Sequence, residues 1–120
     1  MKGLLFLLLA SFVVFLTSCG NDNDSAETRT LEGVLQAFES AGFDTSDRET
    51  PLYQLIGASG GVQFVIEGQS HTVYSFSTEA ALEQAFNNFP FMREQGWVTN
   101  GRFVIESNVS EINSFFAGIE

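Results

Sequence analysis

The sequence is poor in the residues that most binding and catalytic chemistry uses. Its 120 residues include one cysteine, one histidine and five basic residues, against 15 acidic residues and a net charge of −10. Lys2 is the only charged residue before Cys19, so the rest of the chain has four arginines, no lysine and every acidic side chain. Such a surface repels phosphate backbones, which argues against nucleic acid as a partner.

The scarcity of cysteine and histidine limits the possible sites. A lone cysteine cannot form an internal disulfide, so the folded part must be stable through packing alone. A single histidine excludes a His-rich metal site, and no cofactor is expected. Hydrophobic residues nevertheless make up 44% of the chain and aromatic residues 13%, which is sufficient for the core of one domain.

The N-terminus has a basic start at Lys2 and an apolar run from Leu4 to Leu16, followed by small residues. This order is typical of a secretory signal peptide. As a helix, the run would rise about 20 Å, whereas the hydrocarbon core of a bilayer is about 30 Å thick. A permanent membrane span is therefore the weaker interpretation.

Leu16, Thr17, Ser18 and Cys19 resemble the lipobox of bacterial lipoproteins, in which an aliphatic residue and two small residues precede a cysteine. The resemblance implies a diacylglyceryl group on the Cys19 sulfur and cleavage after Ser18, so residues 1–18 are expected to be a lipoprotein signal peptide. Two or three acyl chains, at about 0.8 kcal/mol per buried CH₂, hold a protein stably. The implied location is the cell membrane or envelope, with the domain facing outside the cytoplasm.

The small and acidic residues that follow Cys19 show no apolar periodicity, so residues 19–29 are expected to form a flexible acidic tether. Residues 30–120 are expected to form one α+β domain. Its predicted order is α-β-β-α-β-β-α, with two β-hairpins in an antiparallel sheet of about four strands and helices packed on one face.

Local patterns predict the individual elements. A helix capped by Thr30 runs to about Ala41 and stops at Gly42, and a second begins at Ser77 or Thr78. The first hairpin turns near Glu67 and Gly68. The second turns at Asn100-Gly101, which places Val98 opposite Phe103, and Ser110 caps the last helix.

Two stretches of this region, "LYQLIGASGGVQFVIEG" and "WVTNGRFVIESN", are similar to small uncharacterised lipoproteins of Bacillus-like and related bacteria. The resemblance covers most of residues 30–120. It implies no activity and brings no catalytic residues. The chain departs from those proteins, which are rich in lysine, because it has no lysine beyond Cys19.

Catalysis would require His71 beside a serine such as Ser59, Ser70 or Ser75, with a carboxylate behind it. No sequence context marks these serines as activated, and His71 is expected to be a solvated hairpin residue. The carboxylates of Asp44, Asp47 and Glu49 could bind calcium, but their spacing does not match an EF-hand loop. The sequence therefore predicts neither catalytic nor metal-binding residues.

Phe89, Phe91, Met92 and Trp97 crowd a helix end at Pro90, where complete burial is difficult. They are a candidate patch for binding an envelope protein or peptide. The expected function is that of a membrane-anchored, non-enzymatic binding or accessory module. The alternative is a metal-dependent binding protein or a hydrolytic enzyme that uses scattered carboxylates and His71.

Overall fold

The computed structural model of the protein describes residues 29–120. The first helix, α1, is Leu31–Ser40, and the Thr30 hydroxyl accepts a hydrogen bond from the Gly33 N–H at 3.0 Å. The helix ends before Gly42, which has a φ of +100°, and the Phe43 N–H donates to the Phe38 carbonyl at 2.9 Å. The predicted cap and left-handed stop are both confirmed.

A short strand absent from the prediction follows. Strand β1, Arg48–Glu49, pairs antiparallel with the next strand. The Arg48 guanidinium binds two carboxylates of α1, Glu32 at 3.1 Å and Glu39 at 3.3 Å, and its Nε donates to the Thr45 carbonyl. These contacts hold the edge of the sheet against α1.

A 3₁₀ turn at Tyr53–Ile56 leads into the first predicted hairpin. Strands β2, Gly60–Ile66, and β3, Gln69–Ser75, pair in antiparallel register through the expected turn at Glu67 and Gly68. Helix α2, Glu79–Asn88, begins after Thr78, whose hydroxyl accepts from the Ala81 N–H. A single helical turn, α3, covers Phe91–Glu94.

The second hairpin is present, but its predicted register is wrong. Strands β4, Val98–Asn100, and β5, Phe103–Glu106, pair so that Val98 faces Ile105 and Asn100 faces Phe103. The turn therefore lies at Gly101 and Arg102, one residue later than predicted. This position leaves the Asn100 side chain free to bind the last helix. Because the register moves by two residues, Val98 remains on the same face of the sheet.

The last helix, α4, is Ser110–Ala117. Ser110 was expected to cap it, but Ser110 is already helical and Val109 occupies the cap position without a side-chain hydrogen bond. The acceptor comes instead from Ser107, whose hydroxyl binds the Val109 N–H at 3.1 Å. At the other end, Asn100 Nδ2 donates to the carbonyls of Phe116 and Ile119.

The predicted α+β class with an antiparallel sheet is confirmed: the sheet has five strands in the order β1-β2-β3-β5-β4. Helices lie on both faces, whereas the prediction placed them on one. Along β5, Phe103 and Ile105 pack with α1 and α4, while Val104 points to the opposite face and packs with α2. Alternation along the strand produces the two layers.

The core accordingly has two parts. The cluster under α1 and α4 is the larger, and Phe38, Phe64, Phe103 and Phe116 are completely buried in it. The second cluster lies between the sheet and α2, and covers only one end of that face. Within residues 29–120, none of the helices has the length and apolar composition needed to span a bilayer.

Candidate functional site

A polar cleft occupies the part of the sheet that α2 leaves uncovered. Three of its residues, Gln63, Thr72 and Glu106, lie side by side on β2, β3 and β5 in cross-strand register. The cleft has a volume of about 250 Å³. We call it the sheet cleft, and its lining residues are Gln63, Ser70, Thr72, Gln95, Trp97, Glu106, Ser107 and Asn108.

Glu106 is the one charged residue that lines the sheet cleft. Partial burial raises the pKa of its carboxyl above the usual value. Burial of the phenol, together with the negative charge of Glu106, raises the pKa of Tyr74. Among residues 29–120, no hydrogen bond or ion pair forms to the Glu106 carboxylate.

The four arginines of the domain contact groups other than the Glu106 carboxylate. Arg48 pairs with carboxylates of α1, and Arg93 lies over the Phe86 ring at 4.8 Å. Arg29 donates to Asn100 Oδ1, and Arg102 donates to the carbonyls of Phe76 and Arg29. Within residues 29–120, none of these guanidinium contacts involves Glu106.

A row of aromatic rings borders the sheet cleft. Trp97 stacks on Tyr74 with the ring centroids 5.6 Å apart and the planes 7° from parallel. Phe91 meets Trp97 edge to face at 5.7 Å, and Phe89 lies 6.2 Å from Phe91. We call Tyr74, Trp97, Phe91 and Phe89 the aromatic row. The Trp97 Nε1–H is buried and has no hydrogen-bond acceptor within residues 29–120.

The aromatic row contains three of the four residues of the predicted partner patch. Phe91 is 39% exposed, and Phe89 and Trp97 are partly buried. Met92 is completely buried in the core beneath α2, because the short helix α3 directs it inward. An exposed patch at this corner would therefore consist of aromatic rings, and it continues into the sheet cleft through Trp97.

His71 was expected to be solvated, and this prediction is wrong: its side chain is 1% exposed. It pairs with Phe64 across the first hairpin, so it points into the layer under α1 and α4. Its Nδ1 lies 2.7 Å from Ser107 Oγ, and burial lowers its pKa. A neutral imidazole that accepts the Ser107 proton accounts for this geometry.

The arrangement around His71 is structural in character. Ser107 also accepts the Val109 N–H and so joins His71 to the start of α4. Among the described residues, no carboxylate binds His71. The serines that catalysis with His71 would use bind other groups: the Ser59 hydroxyl donates to the Ser75 carbonyl, and Ser70 contacts Gln63.

Hydrogen bonds form within the acidic loop before β1. Asp44 accepts hydrogen bonds from the Ser46 N–H at 3.0 Å and the Ser46 hydroxyl at 2.7 Å, and these bonds lower its pKa. Between residues 29 and 120, no three His, Cys, Asp or Glu side chains come together in a way that could hold a metal ion.

Comparison of the chain with protein-family models, with curated proteins and with solved structures gives no significant match in any of the three. Leu16, Thr17, Ser18 and Cys19 lie outside the described residues. The case for a function therefore depends on the sequence of the N-terminus and on the geometry of the folded domain.

Proposed function

We propose that the chain is a lipid-anchored protein of a bacterial envelope, whose domain binds a partner without catalysis at the sheet cleft and the adjoining aromatic row. The anchor proposal is supported by the sequence that ends at Cys19. The binding proposal depends on one structural observation: an unpaired carboxylate, Glu106, lies beside Trp97 in a cleft on the uncovered part of the sheet.

The sheet cleft combines features that favour ligand binding. Its polar side chains come from adjacent strands of a sheet, so the packed core beneath fixes their spacing. Trp97 adds a large ring that two other aromatic residues hold in place. Aromatic side chains with a polar atom are enriched at binding interfaces because they bury a large area with few rotatable bonds.

The alternative, a hydrolytic enzyme or a metal-dependent binding protein, has less support. Hydrolysis would require an accessible nucleophile, a base and a group that orients the base. His71 is enclosed, and Ser107 is occupied by two hydrogen bonds. The scattered carboxylates do not converge on a common point within the described part of the chain.

Photocrosslinking in the native host tests the binding proposal. A photoreactive amino acid replaces Asn108, which is exposed and lines the sheet cleft. The matched control replaces Gln36, which is exposed on α1 across the sheet. We expect one defined product from position 108, absent from position 36 and lost when Trp97→Ala is added. Equal capture from both positions would contradict the proposal.

A further inference from the structure

The isolation of Glu106 indicates what kind of ligand the sheet cleft accepts. A carboxylate that is partly withdrawn from water and has no partner carries a free-energy cost, and folded proteins normally avoid that cost by pairing the group. Burial alone shifts the pKa of Glu106, with no contribution from a hydrogen-bond donor or a cation. A ligand that brings a positive charge would supply the missing partner.

Two further observations favour a cation. The domain carries far more acidic than basic residues, so its field attracts cations and repels anions. Trp97 lies in the cleft wall, and the indole ring is the strongest aromatic partner for a cation.

We propose that the sheet cleft binds a lysine or arginine side chain of a protein or peptide partner, with the cationic group at Glu106 and beside the Trp97 ring. The amide of Gln95, which also lines the cleft, is available to the peptide backbone. This inference rests on the proposed binding function of the cleft and specifies its ligand. An uncharged glycan fits less well, because it would leave the Glu106 charge without a partner.

The single tryptophan of the chain makes the test direct, because Trp97 fluorescence reports from the cleft itself. The full-length protein, in detergent, is titrated with the peptide acetyl-Gly-Lys-Gly-amide and with the same peptide acetylated on the lysine. The variants are Glu106→Gln and the matched control Glu83→Gln, an exposed carboxylate on α2. The melting temperature of each variant establishes that it is folded.

We expect saturable binding of the lysine peptide with a Kd of about 1 mM or tighter. Acetylation of the lysine, or Glu106→Gln, should weaken binding at least about tenfold, and Glu83→Gln should leave it unchanged. Added salt should weaken binding of the wild-type protein. Equal binding by the acetylated peptide or by Glu106→Gln would overturn the inference, as would the absence of saturable binding of the lysine peptide.

A parallel titration with a chito-oligosaccharide distinguishes failure of this inference from failure of the proposed binding function. If the sugar binds and the lysine peptide does not, the cleft is a binding site but its assignment to a cation is wrong. If neither probe binds and crosslinking from position 108 yields no specific product, the proposed function fails as well.

Discussion

His71 Nδ1 and Ser107 Oγ lie 2.7 Å apart, and this contact joins the first hairpin to the start of α4. Because Ser107 also accepts the Val109 N–H, its own proton is available to a neutral imidazole. The contact therefore suits the uncharged ring, which burial of His71 favours.

The stability of the domain should decrease in mild acid. Burial lowers the pKa of folded His71 below 6.5, so the unfolded chain takes up its proton at a higher pH than the folded chain does. The free energy of unfolding should fall as the pH drops below about 6.5, by at most about 1.4 kcal/mol per pH unit. The loss ends once the pH is below the folded pKa.

Denaturant unfolding of the wild type and of His71→Gln between pH 7.5 and 5 measures this effect. The difference in unfolding free energy between the two proteins should shrink as the pH falls. Glu106, with its raised pKa, changes stability in the opposite direction, but it is present in both proteins and cancels. A pH-independent difference would contradict the account of His71.

Asn100 should contribute strongly to stability despite its place beside a hairpin turn. Its Nδ2 binds the carbonyls of Phe116 and Ile119 at 2.9 and 2.7 Å, and its Oδ1 accepts from Arg29. Asn100→Ala should lower the unfolding free energy by about 2 kcal/mol, since the helix carbonyls lose their donor. Asn88→Ala, at an exposed position of α2, is the control and should change it by less than about 0.5 kcal/mol.

Two glycines should respond in opposite directions to substitution by alanine. Gly101 has a φ of +62°, which a residue with a Cβ rarely adopts, and an added Cβ would also meet the Arg29 guanidinium, so Gly101→Ala should destabilise by about 1–2 kcal/mol. Gly118 has a φ of −95°, and the nearest atoms are 3.7 Å away. Gly118→Ala should therefore stabilise by about 0.4–1 kcal/mol. Thermal unfolding of both variants checks the pair, and equal effects would count against the turn geometry.

Glu106→Gln should make the folded domain more stable at neutral pH. The raised pKa means that folding disfavours the charged form of Glu106. The free energy of unfolding therefore falls as the pH rises through the interval between the unfolded and the folded pKa of Glu106. The denaturation midpoint of the variant should exceed that of the wild type at pH 7 and approach it at about pH 4, below the usual pKa of the carboxyl. A variant that is less stable at pH 7 would show that Glu106 has a structural partner.

The elements that could be predicted from the sequence are those determined by residues close together in the chain. The caps at Thr30 and Thr78, the stop at Gly42 and the turn at Glu67 each follow from a pattern within a few residues. Strand β1 could not be predicted in this way. It has two residues, and its position depends on Arg48 contacts with carboxylates 9 and 16 residues away.

The candidate site was harder to predict because it needs the order of the strands. Glu106 meets Thr72 and Gln63 only because β5 pairs with β3, which no local pattern specifies. Burial of His71 could have been inferred. The turn at Glu67 and Gly68 already fixes Phe64 opposite His71, on the face that Val73 shares.

The central claim is that acyl chains on Cys19 hold the domain at a membrane. Intact-mass spectrometry of the protein purified from its native host tests it most directly, with Cys19→Ser as the control that should remain unprocessed and unlipidated. The account predicts a chain that begins at Cys19 and carries the added mass of a diacylglyceryl group. A chain that retains Met1, or one that begins at residue 19 without fatty acid, would contradict it.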